Sequence, residues 1–88
     1  MGTLQGRRLH GEVEYDDALP GDYWKPTYEH RQPNEWWFRD PFGVIGRIVK
    51  HTVVEHDDGT ITVHPSILRT IGDGKDFHGW LKSGVWTW

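Results

Sequence analysis

The stretch VIGRIVKHTVVEHDDGTITVHPSIL, residues 44 to 68, gives the strongest indication of the fold in this chain of 88 residues. Residues 44 to 56 are rich in Val and Ile and apolar on both parities, which predicts a central strand covered on both faces. Asp58-Gly59 then predicts a tight turn, because both residue types tolerate positive φ. The following residues alternate between polar and apolar, and Pro65 places their strand at a sheet edge or a bulge because it cannot donate to a ladder.

The closing segment DFHGWLKSGVWTW, residues 76 to 88, predicts a second hairpin, which a glycine-rich connection (RTIGDGKD) joins to the strand before it. A three-residue KSG loop would place its glycine in the left-handed position of a bulged turn. That register pairs Trp80 with Trp86 and His78 with Trp88, with all four side chains on one face. We expect Trp80 and Trp86 to close the core, with His78 and Trp88 at its rim. The alternative is an exposed aromatic patch that receives a partner.

The first half of the chain is less regular. Residues 1 to 8 are expected to form a flexible N terminus, followed by a single β domain over residues 9 to 88. The stretch from 16 to 35 contains three prolines and many polar groups, which predicts a long irregular segment. The aromatic residues expected to pin that segment to the body of the domain are Tyr23, Trp24 and Tyr28.

These features predict a mainly β fold of four to six antiparallel strands, with a C-terminal hairpin and little or no helix. Only 35% of the residues are apolar, but six Trp, three Tyr and three Phe supply large side chains for the core. Each buried aromatic removes roughly 150–250 Å² from water, so a few of them replace many aliphatic residues. Eleven glycines and five prolines interrupt the chain too often for long helices.

Composition also limits the classes of function. The absence of Cys excludes disulfides and thiolate metal sites and is compatible with a reducing cytoplasm. The chain has no long apolar run and no signal-peptide pattern, so a cytoplasmic protein without a membrane partner is expected. The net charge of −3, with acidic residues clustered in EVEYDDALPGD, disfavours binding to a phosphate backbone.

The six histidines match no known metal-ligand spacing, so neither a metal nor another cofactor is expected. No catalytic residue is assigned, since no nucleophile elbow or usable pair of carboxylates is present. His64 and Ser66 lie two residues apart on one predicted strand face. Together with His78 they form the candidate centre for catalysis or metal binding, and an enzyme is the less favoured interpretation.

The motifs RDPFG, GTITVHPSIL and FHGWLKSGVW, within residues 35 to 88, resemble a group of small proteins common in tailed-phage and bacterial genomes, some mislabelled as ammonia monooxygenases. Those proteins show a Cys-containing turn, a T-x-x-P-S-[IL] strand and a C-H-x-[FW] hairpin. Here Asp40, Phe42 and Phe77 stand near the places of the cysteines, and His78 alone persists. The resemblance implies that aromatic packing has replaced a metal-pinned core, and it implies no activity.

The favoured hypothesis is a non-enzymatic protein-binding module that uses an aromatic face and the acidic loop. The resemblance suggests a phage-encoded accessory or host-modulating factor, located in the host cytoplasm. A small enzyme or metal-dependent small-molecule binder centred on His64, Ser66 and His78 is the alternative, and a single-stranded nucleic-acid binder comes third. The expected partner is a protein, and a homodimer remains open. The candidate binding residues are Tyr23, Trp24, Tyr28, His78 and Trp88.

Overall fold

The computed structural model describes residues 1 to 70 and 76 to 88, and its fold is mainly β, as predicted. Over these residues it has one short 3-10 helix, Tyr15–Asp17, and ten strands where the sequence predicted four to six. None of the described helical residues form a helix long and apolar enough to cross a membrane. The strands are β1 (Thr3–Gln5), β2 (Arg7–Leu9), β3 (Asp22–Trp24), β4 (Trp36–Arg39), β5 (Ile45–Ile48), β6 (Thr52–Glu55), β7 (Ile61–His64), β8 (Ile67–Arg69), β9 (Phe77–Lys82) and β10 (Val85–Thr87).

The strands form two four-stranded sheets, ordered β1-β10-β9-β8 and β2-β3-β4-β5, and a separate β6–β7 hairpin. All strand pairs are antiparallel except β2 with β3, which is parallel. Residues 1 to 8, where a flexible N terminus was expected, contain β1 and the start of β2. Gly2 and Trp88 exchange two backbone hydrogen bonds beyond the β1–β10 ladder, at 2.7 and 3.0 Å. The glycine-rich connection predicted before β9 falls mostly on residues 71 to 75, outside the described residues.

The core lies between the two sheets and the β6–β7 hairpin. Residues of β9 alternate strictly between buried and exposed, so Phe77 and Leu81 face inward. Trp86 on β10 is completely buried, and its indole N–H donates a 2.9 Å hydrogen bond to the carbonyl of Gly21. The other buried apolar members of this core are Tyr23, Trp36, Phe38, Ile48, Ile61, Val63 and Ile67.

The C-terminal hairpin exists, but its predicted register is wrong. The loop has two residues, so Leu81 faces Trp86 and Trp80 faces Thr87 across the strands. Trp86 therefore points into the core, while Trp80 lies on the opposite face with 49% of its surface exposed. The predicted pair of Trp80 and Trp86 does not form.

The physical reason lies in the turn between β9 and β10. Ser83 and Gly84 both have positive φ, 46° and 79°, as a two-residue mirror-image turn requires. Serine rarely adopts this conformation, but its backbone N–H donates a hydrogen bond to Oγ1 of Thr62, and the N–H of Gly84 donates to the carbonyl of Ile61. These contacts with β7 stabilise a turn that the local sequence does not favour.

The prediction of a single central strand over residues 44 to 56 is also wrong. The chain forms β5 and β6 with a bend over residues 49 to 51, and so passes from the second sheet into the separate hairpin. Most of β6 is exposed, so this strand is not covered on both faces. A turn follows β6 where the sequence predicted one, but its loop has three residues, 57 to 59, since the N–H of His56 donates to the carbonyl of Thr60. Gly59 has a φ of 88° and its N–H donates to the carbonyl of His56, whereas Asp58 lacks the positive φ that a two-residue turn requires.

Candidate functional site: an aromatic groove with an acidic lining

A groove with a volume of about 370 Å³ lies on the outer face of the second sheet. Its lining comes from three parts of the chain: residues 11 to 15, residues 24 to 28 and Trp37. We call it the aromatic groove. The side chains that give it its chemistry are Tyr15, Trp24, Tyr28, Trp37, Glu12 and Glu14.

The register of β3 and β4 puts two tryptophans in the groove. Tyr23 pairs with Phe38 and Trp24 with Trp37, so the first pair faces the core and the second faces outward. Tyr15 stacks on Trp37, with ring centroids 5.2 Å apart and an interplanar angle of 23°. Trp24 is only 3% exposed, so the accessible ring surface of the groove comes mainly from Tyr15 and the half-buried Trp37.

Tyr15 is held by its backbone and leaves its ring accessible. Its carbonyl accepts hydrogen bonds from the N–H of Ala18, at 3.2 Å, and from Nη2 of Arg39, at 3.0 Å. Ala18 is buried, which fixes the end of the 3-10 helix against the body of the domain. The tyrosine side chain itself is 51% exposed. Its ring can therefore meet a ligand without a rearrangement of the backbone.

Glu35 fixes two other groove residues from below the surface. Its carboxylate is 2% exposed and accepts hydrogen bonds from the hydroxyl of Tyr28, from Nε1 of Trp37 and from the backbone N–H of Gln32. Burial by itself raises the pKa of Glu35, but these hydrogen bonds and the charge of Arg47 together hold it below its ordinary value. The hydrogen bond to Glu35 raises the pKa of Tyr28.

The lining of the groove has negative charge without a matching cation. Glu12 and Glu14 are exposed, and within residues 1 to 70 and 76 to 88 their carboxylates make no ion pair or hydrogen bond. Of the guanidinium groups that contact groove residues, Arg31 donates to the carbonyl of Pro26 at 3.0 Å and Arg39 donates to two carbonyls. Arg47 lies 5.9 Å from the ring centre of Trp37 and 3.9 Å from the carboxylate of Glu35. The lining itself includes no Lys, Arg or His among the described residues.

The five residues predicted to bind a partner are not brought together. Tyr23 is a core residue with 1% of its surface exposed. Trp24 and Tyr28 both line the aromatic groove. His78 is exposed on the outer face of β9, and Trp88 packs against the aromatic side chains of the turn after β4 and the start of β9.

Two residues of the alternative catalytic or metal-binding centre predicted from the sequence, Ser66 and His78, are in contact. Oγ of Ser66 lies 2.7 Å from Nε2 of His78, at an exposed position, whereas His64 lies on β7 opposite Thr52. Within the described chain no carboxylate hydrogen-bonds to His78 to orient it, and no three His, Asp or Glu side chains gather in a way that could hold a metal ion. A serine–histidine pair without an orienting group is a weak nucleophile.

Sequence reasoning missed Tyr15, Trp37 and the two glutamates of the groove. Alternation in EWWF does imply that one of its tryptophans faces away from the core, so the exposure of Trp37 had a detectable signal. The stacking of Tyr15 on Trp37 had none, because the two residues lie far apart in the chain. The acidic cluster of residues 12 to 22 is visible in the sequence, but its position beside aromatic rings is not.

Comparisons with protein-family models, curated proteins and solved structures found no match to this chain.

Proposed function

We propose that this protein is a binding module without catalytic activity, and that the aromatic groove holds an extended segment of a partner protein. The observation that supports this most is the stacked pair of Tyr15 and Trp37 at the surface of a small domain, with the buried ring of Trp24 packed beside Tyr15. Tyr and Trp are favoured at protein interfaces because they bring large contact areas with few rotatable bonds.

The shape and rigidity of the groove favour a peptide segment as the ligand. A volume of about 370 Å³ accommodates a few side chains but is small for a folded domain to enter. Grooves lined by aromatic rings bind extended segments in several protein families, since such segments need little ordering. Glu35 already holds Tyr28 and Trp37 in place, so binding loses little side-chain entropy on the side of this protein.

The electrostatics of the groove disfavour the other hypothesis for its rings, a single-stranded nucleic acid. Stacking on bases would use the same side chains, but Glu12 and Glu14 would repel the phosphates. A protein segment has no such charge requirement and remains the better ligand.

In the experiment, random displayed peptides are selected on the purified native protein. The selected peptides are then titrated against the native protein and against the variants Tyr15→Ala and Trp80→Ala. Tyr15→Ala removes an exposed ring of the groove and should weaken binding by about tenfold. Trp80→Ala removes a similarly exposed ring at a separate surface and should leave the affinity unchanged. Equal affinity for the native protein and Tyr15→Ala would show that the groove is not the binding site.

A further inference from the structure

Resting on the proposed function, we infer that the bound segment places a Lys or Arg side chain in the aromatic groove, with its charge between the rings and the carboxylates of Glu12 and Glu14. The ligand is therefore a basic extended peptide. Two independent properties of the groove lead to this inference, the exposed ring of Tyr15 stacked on Trp37 and the unpaired carboxylates of Glu12 and Glu14.

The ring faces attract cations. The negative face of an indole or phenol ring draws an ammonium or guanidinium group within about 6 Å. The protein itself shows this chemistry outside the groove, where the guanidinium of Arg8 lies 4.8 Å from the ring centre of Trp36 and Nζ of Lys25 lies 5.7 Å from it. Of the groove rings, Trp37 already has the guanidinium of Arg47 at 5.9 Å from its ring centre, whereas no cation among the described residues lies in this way over the exposed ring of Tyr15.

The carboxylates of Glu12 and Glu14 add negative charge beside the aromatic rings of the groove. Glu12 and Glu14 line the groove with Tyr15 immediately after them in the chain. An incoming cation would gain both the ring contact and an ion pair, whereas an acidic segment would be repelled. Lys and Arg also have apolar stems that can lie along the rings while the charged end reaches the carboxylates.

The test uses three arrays of random peptides of about ten residues, in which the variable positions include Lys and Arg, only neutral residues, or Asp and Glu. Each array is probed with the native protein, with the double variant Glu12→Gln/Glu14→Gln, with Tyr15→Ala and with the control Trp80→Ala. Affinities of the selected peptides are then measured at about 50 and about 300 mM NaCl, since exposed charge pairs weaken as salt screens them.

We expect the peptides bound by the native protein to come mainly from the basic array. The glutamine double variant should bind them about fivefold more weakly and lose most of the salt dependence, while Trp80→Ala matches the native protein. Tetramethylammonium and free argininamide, titrated separately, should bind at least about a hundredfold more weakly than the peptides, because they lack the backbone contacts.

Three results would overturn the inference in different ways. Selection of neutral or acidic peptides whose binding depends on Tyr15 would reject the cation and leave the proposed function intact. Absence of any groove-dependent peptide, in all three arrays, would reject the proposed function as well. Small cations that bind as tightly as the peptides would show that the groove takes a free organic cation instead of a protein segment.

Discussion

Asp40 accepts a 2.6 Å hydrogen bond from Nε of Arg69 in the protein interior, where Asp40 is completely buried and Arg69 is 7% exposed. The other carboxylate oxygen of Asp40 accepts hydrogen bonds from the N–H groups of Phe42 and Val44. Asp40 follows β4 and Arg69 ends β8, so this ion pair joins the two four-stranded sheets. The side chain of Asp40 thus stabilises both the turn after β4 and the contact between the two sheets.

Replacing Asp40 with Ala should lower the free energy of unfolding by about 3–5 kcal/mol, because it breaks a buried ion pair and removes the acceptor of two backbone N–H groups. Urea denaturation monitored by Trp fluorescence measures this loss. Asp57→Ala is the matched control, since that aspartate is exposed and should change stability by less than about 0.5 kcal/mol. Similar losses for the two variants would contradict the importance of the ion pair.

Trp86→Ala should lower the free energy of unfolding by about 3–5 kcal/mol and unfold part of the population, because it empties a fully buried site. Trp80→Ala should cost less than about 1 kcal/mol, since this side chain is half exposed on the outer face of β9. Thermal unfolding of the two variants side by side is the measurement. If Trp80→Ala were the more damaging change, the two-residue turn and its register would be incorrect.

Glu35→Gln should destabilise the protein at about pH 7 by about 1–3 kcal/mol, because the hydrogen bonds that Glu35 accepts are to a charged group. The pKa of Glu35 is lower in the folded state than in the unfolded chain. Its contribution is therefore complete above the unfolded pKa and is lost as pH falls through the folded pKa. The difference in unfolding free energy between native protein and variant should accordingly shrink between about pH 7 and about pH 3.

Glu29→Gln is the control for that pH dependence, because Glu29 is exposed and lies close to Glu35 in the chain. Its stability should follow that of the native protein at every pH. A gap between native protein and Glu35→Gln that stays constant down to about pH 3 would mean that the carboxylate has no altered pKa in the folded state.

In the β9–β10 turn, one substitution is expected to raise stability. Ser83→Asn should raise the free energy of unfolding by about 0.5 kcal/mol, because Asn tolerates the positive φ of this position better than Ser. Gly84→Ala should lower it by more than about 1 kcal/mol, since φ is 79° and an added Cβ would lie 3.0 Å from Thr60 and Tyr23. Chemical denaturation of both variants tests the pair, and a gain in stability for Gly84→Ala would refute the turn geometry.

Local chemistry made the mainly β fold predictable. Asp58-Gly59 marks the place where a turn forms, and the apolar residues Ile61 and Val63 of β7 alternate with polar ones in the sequence. The buried face of β9 was not predictable, because the sequence places Trp80 in the core and the structure exposes it. The turn at Ser83 was not predictable in the same way, because hydrogen bonds from Ser83 and Gly84 to β7 stabilise it. The parallel pairing of β2 with β3 is equally invisible in the sequence, since it depends on where a distant strand lies.

The aromatic groove, too, could be predicted from the sequence only in part. Trp24 and Tyr28 were identified as aromatic residues of an irregular segment, and the structure places both in the groove. Tyr15 joins them only because the 3-10 helix packs against β4, which is a tertiary contact between residues far apart in the chain. Composition can indicate that rings and acids are present, but their convergence on one surface depends on the complete fold.

The backbone hydrogen bonds between Gly2 and Trp88 place the two ends of the described chain beside each other. A linker of about four to six residues could join them without disturbing either sheet. New ends could then be opened at the exposed turn around Asp57 and Asp58, giving a circularly permuted protein with the same neighbours for every strand. For the same reason, the domain could be inserted into a surface loop of another protein, which would present the groove without a free terminus.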